Sequence, residues 1–200
     1  MNLRRIHKIV GVVLVIPLLG WALTGIVFLT KPGYAGAYEQ LAVKTYPLQQ
    51  TFSLQPLVNW HEARLVRTVL GYHLLLAGNG KRAHLDPQSM ETRGLPSDAD
   101  IKRLVYDAIG TNSQRYGAIV AVDGSRVMTS TGVEITLDWM NLSLAQAGRD
   151  TRLLDGLYKI HYLQWLGRPF PDALLGVTGI VLLLLLTGLG LAVLISSRRK

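Results

Sequence analysis

RRIHKIVGVVLVIPLLGWALTGIVFLT, residues 4–30, decides the architecture. A basic cluster, Arg4, Arg5 and Lys8, leads into a run from Ile9 to Thr30 that carries no charge. At ~1.5 Å per residue a helix of that length crosses a ~30 Å hydrocarbon core. A second uncharged run extends from Ala173 to Ser197 and is followed by Arg198, Arg199 and Lys200. Two transmembrane helices are therefore expected, one towards each end of the 200-residue chain.

The formal charge of +8 does not point to nucleic acid once it is located along the chain. Residues 31–155 carry thirteen Lys or Arg against twelve Asp or Glu, so nearly all the excess lies at the membrane ends. Short basic flanks stay on the cytoplasmic side. Both termini are expected there, in the bacterial inner (plasma) membrane, with the intervening region outside it as a periplasmic domain large enough to bury its own core. The expected division is a tail at 1–8, a span at 9–30, the domain at 31–155, an interfacial amphipathic segment at 156–172, a span at 173–196 and a tail at 197–200. "AGA" at Ala35–Ala37 looks like a signal-peptidase site, but the 22-residue apolar run before it exceeds the roughly 7–15 residues of a signal core. A retained span is the expectation.

The chain has no cysteine, which excludes disulfides, thiol catalysis, iron–sulfur clusters and haem attached through C-x-x-C-H. Redox chemistry would need a non-covalent cofactor.

Between the spans the pattern changes to short alternating runs, which predict an α+β domain. "RLVRTVL", "HLLLAG" and "KRAHLD" around the turn signal "GNGK" read as a meander. A helix is expected next, capped by Ser97 with Asp100 three residues on. Its apolar face is Ile101, Leu104, Val105 and Ala108, and Gly110 ends it. Strands then resume through the Asp123-Gly124 turn and "VEITLDW". Leu85-Asp86 and Leu137-Asp138 end the two halves alike, a faint internal echo.

No G-x-S-x-G, H-E-x-x-H or phosphate loop is present, and "GNG" at Gly78–Gly80 is more economically a turn. His61, His73 and His84 read as ordinary surface or half-buried histidines, although His73 and His84 could face each other across a hairpin and hold a metal.

Two histidines stand apart because each is expected at a membrane face. His7, Gly11, Leu14, Leu18, Trp21 and Gly25 form one helical stripe. Gly11, one turn from His7, removes a side chain where a flat group would approach the backbone. Gly20 and Thr24 form a small-x-x-x-small pair that admits another helix, and Pro17 is expected to kink the span. Taken alone, His7 is equally a headgroup-level residue beside the basic cluster. The second histidine is His161, in "LLDGLYKIHYLQWLG" (residues 153–167), a segment with a helical apolar pattern and interfacial aromatics that returns the chain to the outer face before the break at "RPFPD".

"LRRIHKIVGVVLVIPLLGWALTGIVF" is similar to the first span of PepSY-associated transmembrane proteins. "LLDGLYKIHYLQWLG" with the later "LLTGLGL" resembles their last, and "HLDPQSME" and "ITLDW" look like PepSY-type strands. The resemblance implies a short two-span member with a PepSY-like outer domain. It also implies haem b, bound non-covalently in a membrane reductase that frees iron from ferric chelates, with His7 and His161 matching the axial histidines. One departure stands out: the family often has Gly two residues after the outer histidine, where this chain has Leu163.

Bis-histidine haem needs two imidazoles, and one chain offers one per face, so a homodimer is expected in which each histidine pairs with its symmetry mate. Arg4, Arg5 or Lys8 would pair with the haem propionates. The implied partners are membrane lipid, a quinol or reductase as electron donor, and ferric chelates or an iron transporter. No nucleic acid is expected. Such a chain would be a haem-dependent ferric (siderophore) reductase relaying electrons across the membrane. The alternative is a haem-free membrane-anchored regulator or accessory subunit whose outer domain binds a partner.

Overall fold

The computed structural model describes residues 3–53 and 59–198. Met1, Asn2, Arg199 and Lys200, parts of the two basic tails, lie outside these residues. The elements in order are α1 (Leu3–Thr30), a short α2 (Tyr34–Ala37), β1 (Glu62–Thr68), β2 (Gly71–Gly78), β3 (Lys81–Leu85), α3 (Asp98–Ile109), α4 (Ser113–Tyr116), β4 (Ile119–Asp123), β5 (Arg126–Thr129), β6 (Glu134–Asp138), β7 (Ser143–Ala147), α5 (Arg149–His161) and α6 (Pro169–Arg198). They fall into two compact units. One comprises the chain up to Tyr34 together with the part from Arg152 onward, and the other is Ala35–Thr151.

In the first unit α1 and α6 pack against each other, and each is long and apolar enough to cross a membrane. α1 runs unbroken through Pro17. The stripe read from the sequence is the packing face: Leu14 is buried, and His7, Gly11, Leu18, Trp21 and Gly25 are partly covered; Thr24, of the Gly20 and Thr24 pair, is buried beside it. Val12, Ile16, Leu19 and Leu23 of α1 and Leu174, Val177, Val181 and Leu184 of α6 are exposed, the apolar surface that lipid would cover. The chain enters α6 through a turn in which the buried Asp172 carboxylate accepts the backbone N–H groups of Leu166 at 2.9 Å and Arg168 at 3.0 Å.

The second unit contains two antiparallel meanders, β1-β2-β3 and β4-β5-β6-β7. The expected turn between β2 and β3 forms at Asn79-Gly80, both at positive φ, as a tight hairpin of that register requires. β2 lies between two neighbours and buries four consecutive residues, His73 to Leu76. α3 begins where its chemistry predicts, with the Ser97 side chain accepting the N–H of Asp100, and it buries Ile101, Leu104, Val105 and Ile109. This face joins Val127, Ile135, Leu137, Trp139 and Leu144 in one core. The Leu-Asp echo has a local cause: the Asp86 carboxylate accepts the N–H groups of Gln88 and Ser89, and Asp138 accepts that of Asn141. Each aspartate ends its strand in a side-chain-closed turn.

Candidate functional site

α5 delivers His161 to α1. Its Nδ1 lies 2.8 Å from Thr24 Oγ1. The Thr24 hydroxyl has its own acceptor, the Gly20 carbonyl at 2.6 Å, so its lone pair is what remains for the ring. Hydrogen-bond matching therefore makes Nδ1 the donor, so that in the neutral ring Nε2 is the acceptor nitrogen. Nε2 has no hydrogen-bond partner among the described residues. The backbone is held as well, because Trp21 Nε1 donates to the His161 carbonyl at 2.6 Å. Phe28 meets the ring edge-on at 5.0 Å between centroids and stacks on Tyr158 at 4.5 Å.

The helix stops just beyond. Leu163 adopts φ 55°, the left-handed conformation that glycine takes without cost. A leucine stands there because its side chain is 3 % exposed and fills the space above Gly179, where a methyl group would come within 2.8 Å of Leu163 Cδ1. Burial of an apolar side chain offsets the backbone strain.

His7 lies near the opposite end of α1, seventeen residues before Thr24, or about 25 Å along the axis. It packs over Gly190 of α6, where a methyl group would sit 3.3 Å from His7 Cε1. Its Nδ1 is buried and has no hydrogen-bond partner among the described residues. Gly11 faces α6 one turn on, with Leu186 3.6 Å from where its Cβ would stand. Arg4 and Arg5 are exposed beside this end. The structure thus sets His7 and His161 at the two ends of one helix assembly and does not bring them together.

The other three histidines belong to the second unit. His61 is exposed and bonded to Asn79 Oδ1 at 2.9 Å. His73 and His84 correct the expectation of surface or half-buried rings, for both are fully buried. Strand register explains it: His73 pairs with Val66 and His84 with Leu75, and these positions all point to the core side. The two rings do face each other, Nδ1 of His73 lying 2.8 Å from Nε2 of His84. Thr68 Oγ1 accepts the Leu70 N–H and so donates to His73 Nε2 at 2.8 Å, while His84 Nδ1 donates to the Trp139 carbonyl at 2.8 Å. With both rings neutral the chain runs one way, Thr68 to His73 to His84 to Trp139. Burial, then the nearby Arg93 and His84, lowers the His73 pKa to about 3, and burial followed by Arg93 lowers that of His84. All four ring nitrogens have protein partners, and no group of three metal-ligating side chains occurs among the described residues.

Thr24 and Gly190 are site residues that sequence reasoning missed. Thr24 was legible only as a small residue admitting a helix, and Gly190 only as part of "TGLGL".

The family model described as the PepSY-associated TM region matches residues 2–199, essentially the whole chain. Comparison with curated proteins and with solved structures returns no match.

Proposed function

The chain belongs to the PepSY-associated transmembrane family, and from that premise we propose that it is a haem b protein of the inner membrane that carries electrons outward for reduction of ferric chelates. The observation that carries this reading is the chemistry of the two membrane histidines. His161 has its Nδ1 engaged by Thr24 and its Nε2 free, the state of an imidazole ready to bind a metal with its second nitrogen oriented by the protein. His7 has a buried Nδ1 that nothing satisfies, and a buried polar atom without a partner asks for a ligand. Both residues fit axial ligation of haem iron.

When bound, haem would supply reversible one-electron exchange between ferric and ferrous iron. The chain's own residues do the rest. Thr24 holds the His161 tautomer, Trp21 fixes its backbone, Arg4 and Arg5 offer charge to propionates at the His7 end, and the apolar helices exclude water between the two levels. Each histidine would need a partner imidazole to hold haem from both sides, which a second copy of the chain would supply, making the working unit a homodimer with about one haem per chain. The basic flanks support an orientation with both termini in the cytoplasm, with a quinol or reductase as donor and ferric chelates or an iron transporter outside.

The test is an optical spectrum of the detergent-purified protein after haem-replete expression, oxidised and then reduced with dithionite. A Soret band with a reduced b-type α band is expected. His7→Ala and His161→Ala should each remove about half the haem and abolish reduction of an external ferric chelate, and His61→Ala should do neither. A colourless preparation would replace this reading with the haem-free regulator. Orientation is checked by reporters: one inserted near Gly94 should report the periplasm, and one fused after Lys200 the cytoplasm.

A further inference from the structure

Arg93 follows β3 and folds back against the core of the second unit, half-buried. Its Nη1 donates to the Tyr72 carbonyl at 2.8 Å and its Nη2 to the Leu70 carbonyl at 3.3 Å; Nη1 also lies 2.9 Å from His73 Nδ1, whose proton goes to His84 and which accepts nothing from it. Every one of these partners is neutral. Among the described residues no carboxylate comes within 4.0 Å of its guanidinium; Asp86 acts on it only from farther away, although a charge withdrawn from water ordinarily ends on an opposite one in direct contact.

Arg93 also lines a cavity of about 430 Å³. Arg103 of α3 lines the same cavity, with Asp100 3.8 Å away as a loose, exposed ion-pair partner. Trp139 is part of its wall; the residue is 7 % exposed, yet its Nε1 is buried with no hydrogen-bond partner among the described residues. The two guanidinium groups donate and do not accept, and the unmet indole N–H belongs to a residue of the same wall. Asp100 is the one acid among the lining residues, and the Ser97 hydroxyl already donates to its Oδ2 at 2.7 Å.

We propose that this cavity binds a small oxyanion, the carboxylate or phosphate group of a soluble molecule, as the counter-charge of Arg93 and Arg103, with the Trp139 indole N–H as a further donor. Planar guanidinium forks match carboxylate and phosphate geometry, which a halide cannot use in the same way. The site is independent of haem and of the membrane helices.

The test uses the full chain in detergent with ¹⁵N-labelled tryptophan. Of the four indole signals, from Trp21, Trp60, Trp139 and Trp165, that of Trp139 is assigned by its loss in Trp139→Phe. Inorganic phosphate and citrate are titrated separately at constant ionic strength, with chloride as the control. The Trp139 signal should move saturably with a Kd of about 1 mM or tighter, the other three should stay, and Arg103→Gln, an exposed change that leaves the fold intact, should weaken binding about tenfold. Saturation by phosphate alone or by citrate alone identifies which oxyanion the site takes. The proposal is overturned if neither anion moves the signal saturably, if chloride moves it equally, or if Arg103→Gln leaves the affinity unchanged.

Discussion

Thr24 Oγ1 and His161 Nδ1 lie 2.8 Å apart across 137 residues of sequence, and the acceptor bond from Thr24 to Gly20 settles which of them gives the proton. On the proposed function, that contact makes Thr24 a positioning residue for His161. Thr24→Val keeps the shape and removes the acceptor, so haem retained through His161 should weaken by roughly 10- to 100-fold. Thr24→Ser should restore it. Haem titration of the two variants in a His7→Ala background reads this site alone; equal affinity in Val and wild type would remove Thr24 from the mechanism.

At the other end the relevant neighbour is Gly190. A methyl there would sit 3.3 Å from His7 Cε1, which a small shift absorbs, whereas Gly190→Leu must push the imidazole aside. The leucine variant should lose the His7-dependent half of the haem and keep the His161-dependent half, with Gly190→Ala nearly silent. Difference spectra against His7→Ala decide it, since retention of full haem in Gly190→Leu means that His7 does not need this seat.

The His73–His84 pair makes a prediction about pH. The folded pKa of His73 is lowered from 6.5 to about 3, and that of His84 is lowered too. The unfolded chain therefore binds more protons than the folded one in this range. Stability is fully present above about pH 6.5 and falls as pH drops towards 3, by about 1.4 kcal/mol per pH unit for each proton taken up on unfolding. Arg93 and Asp86 face the pair with opposite signs, Arg93 opposing the added proton and Asp86 favouring it. The carboxyls of Asp86, Asp138 and Asp150, all held below the ordinary 3.8 by their hydrogen bonds, withdraw their contributions only below about pH 4. Urea unfolding between pH 6.5 and 4.5 isolates the histidines; a flat profile there would show that the rings are not buried neutral.

Arg115 is the polar keystone of the second unit. It donates to Asp150 at 2.7 Å and to Gln146 Oε1 at 2.6 Å, and its Nε lies 3.7 Å from Glu39. Gln146 in turn donates towards the carbonyls of Gly36, Ala37 and Glu39. The arginine side chain is 10 % exposed, so Arg115→Met strands two acids and a glutamine and should cost about 2–3 kcal/mol. Lysine should rescue little, because it lacks the fork that serves three partners. Near-UV circular dichroism during thermal unfolding measures both, and an unchanged midpoint for Arg115→Met would show that the network contributes nothing net.

Local chemistry made much of this protein legible from its letters. An uncharged apolar run of sufficient length forms one long helix, Asn-Gly closes a tight hairpin by its own backbone preference, and Ser97 caps α3 by reaching three residues ahead. These signals act within a few residues, and α1, the β1-β2-β3 meander and α3 stand where they predict. β7 was not legible: "SLAQA" has one large apolar side chain, and it becomes a strand because β6 offers it a register from Glu134 to Asp138. His73 and His84 read as surface or half-buried residues that could face each other across a hairpin, and the facing was legible from the strand pattern whereas the full burial was not. Pairing of β2 with β1 and β3 turned both onto the core face, where each became the other's hydrogen-bond partner. His7 and His161 were visible as residue types at two membrane faces. Which nitrogen each leaves open was decided by Thr24, Gly190 and the packing of α5 and α6 on α1, because a hydrogen bond depends on atoms within about 3 Å and only folding brings such distant positions that close.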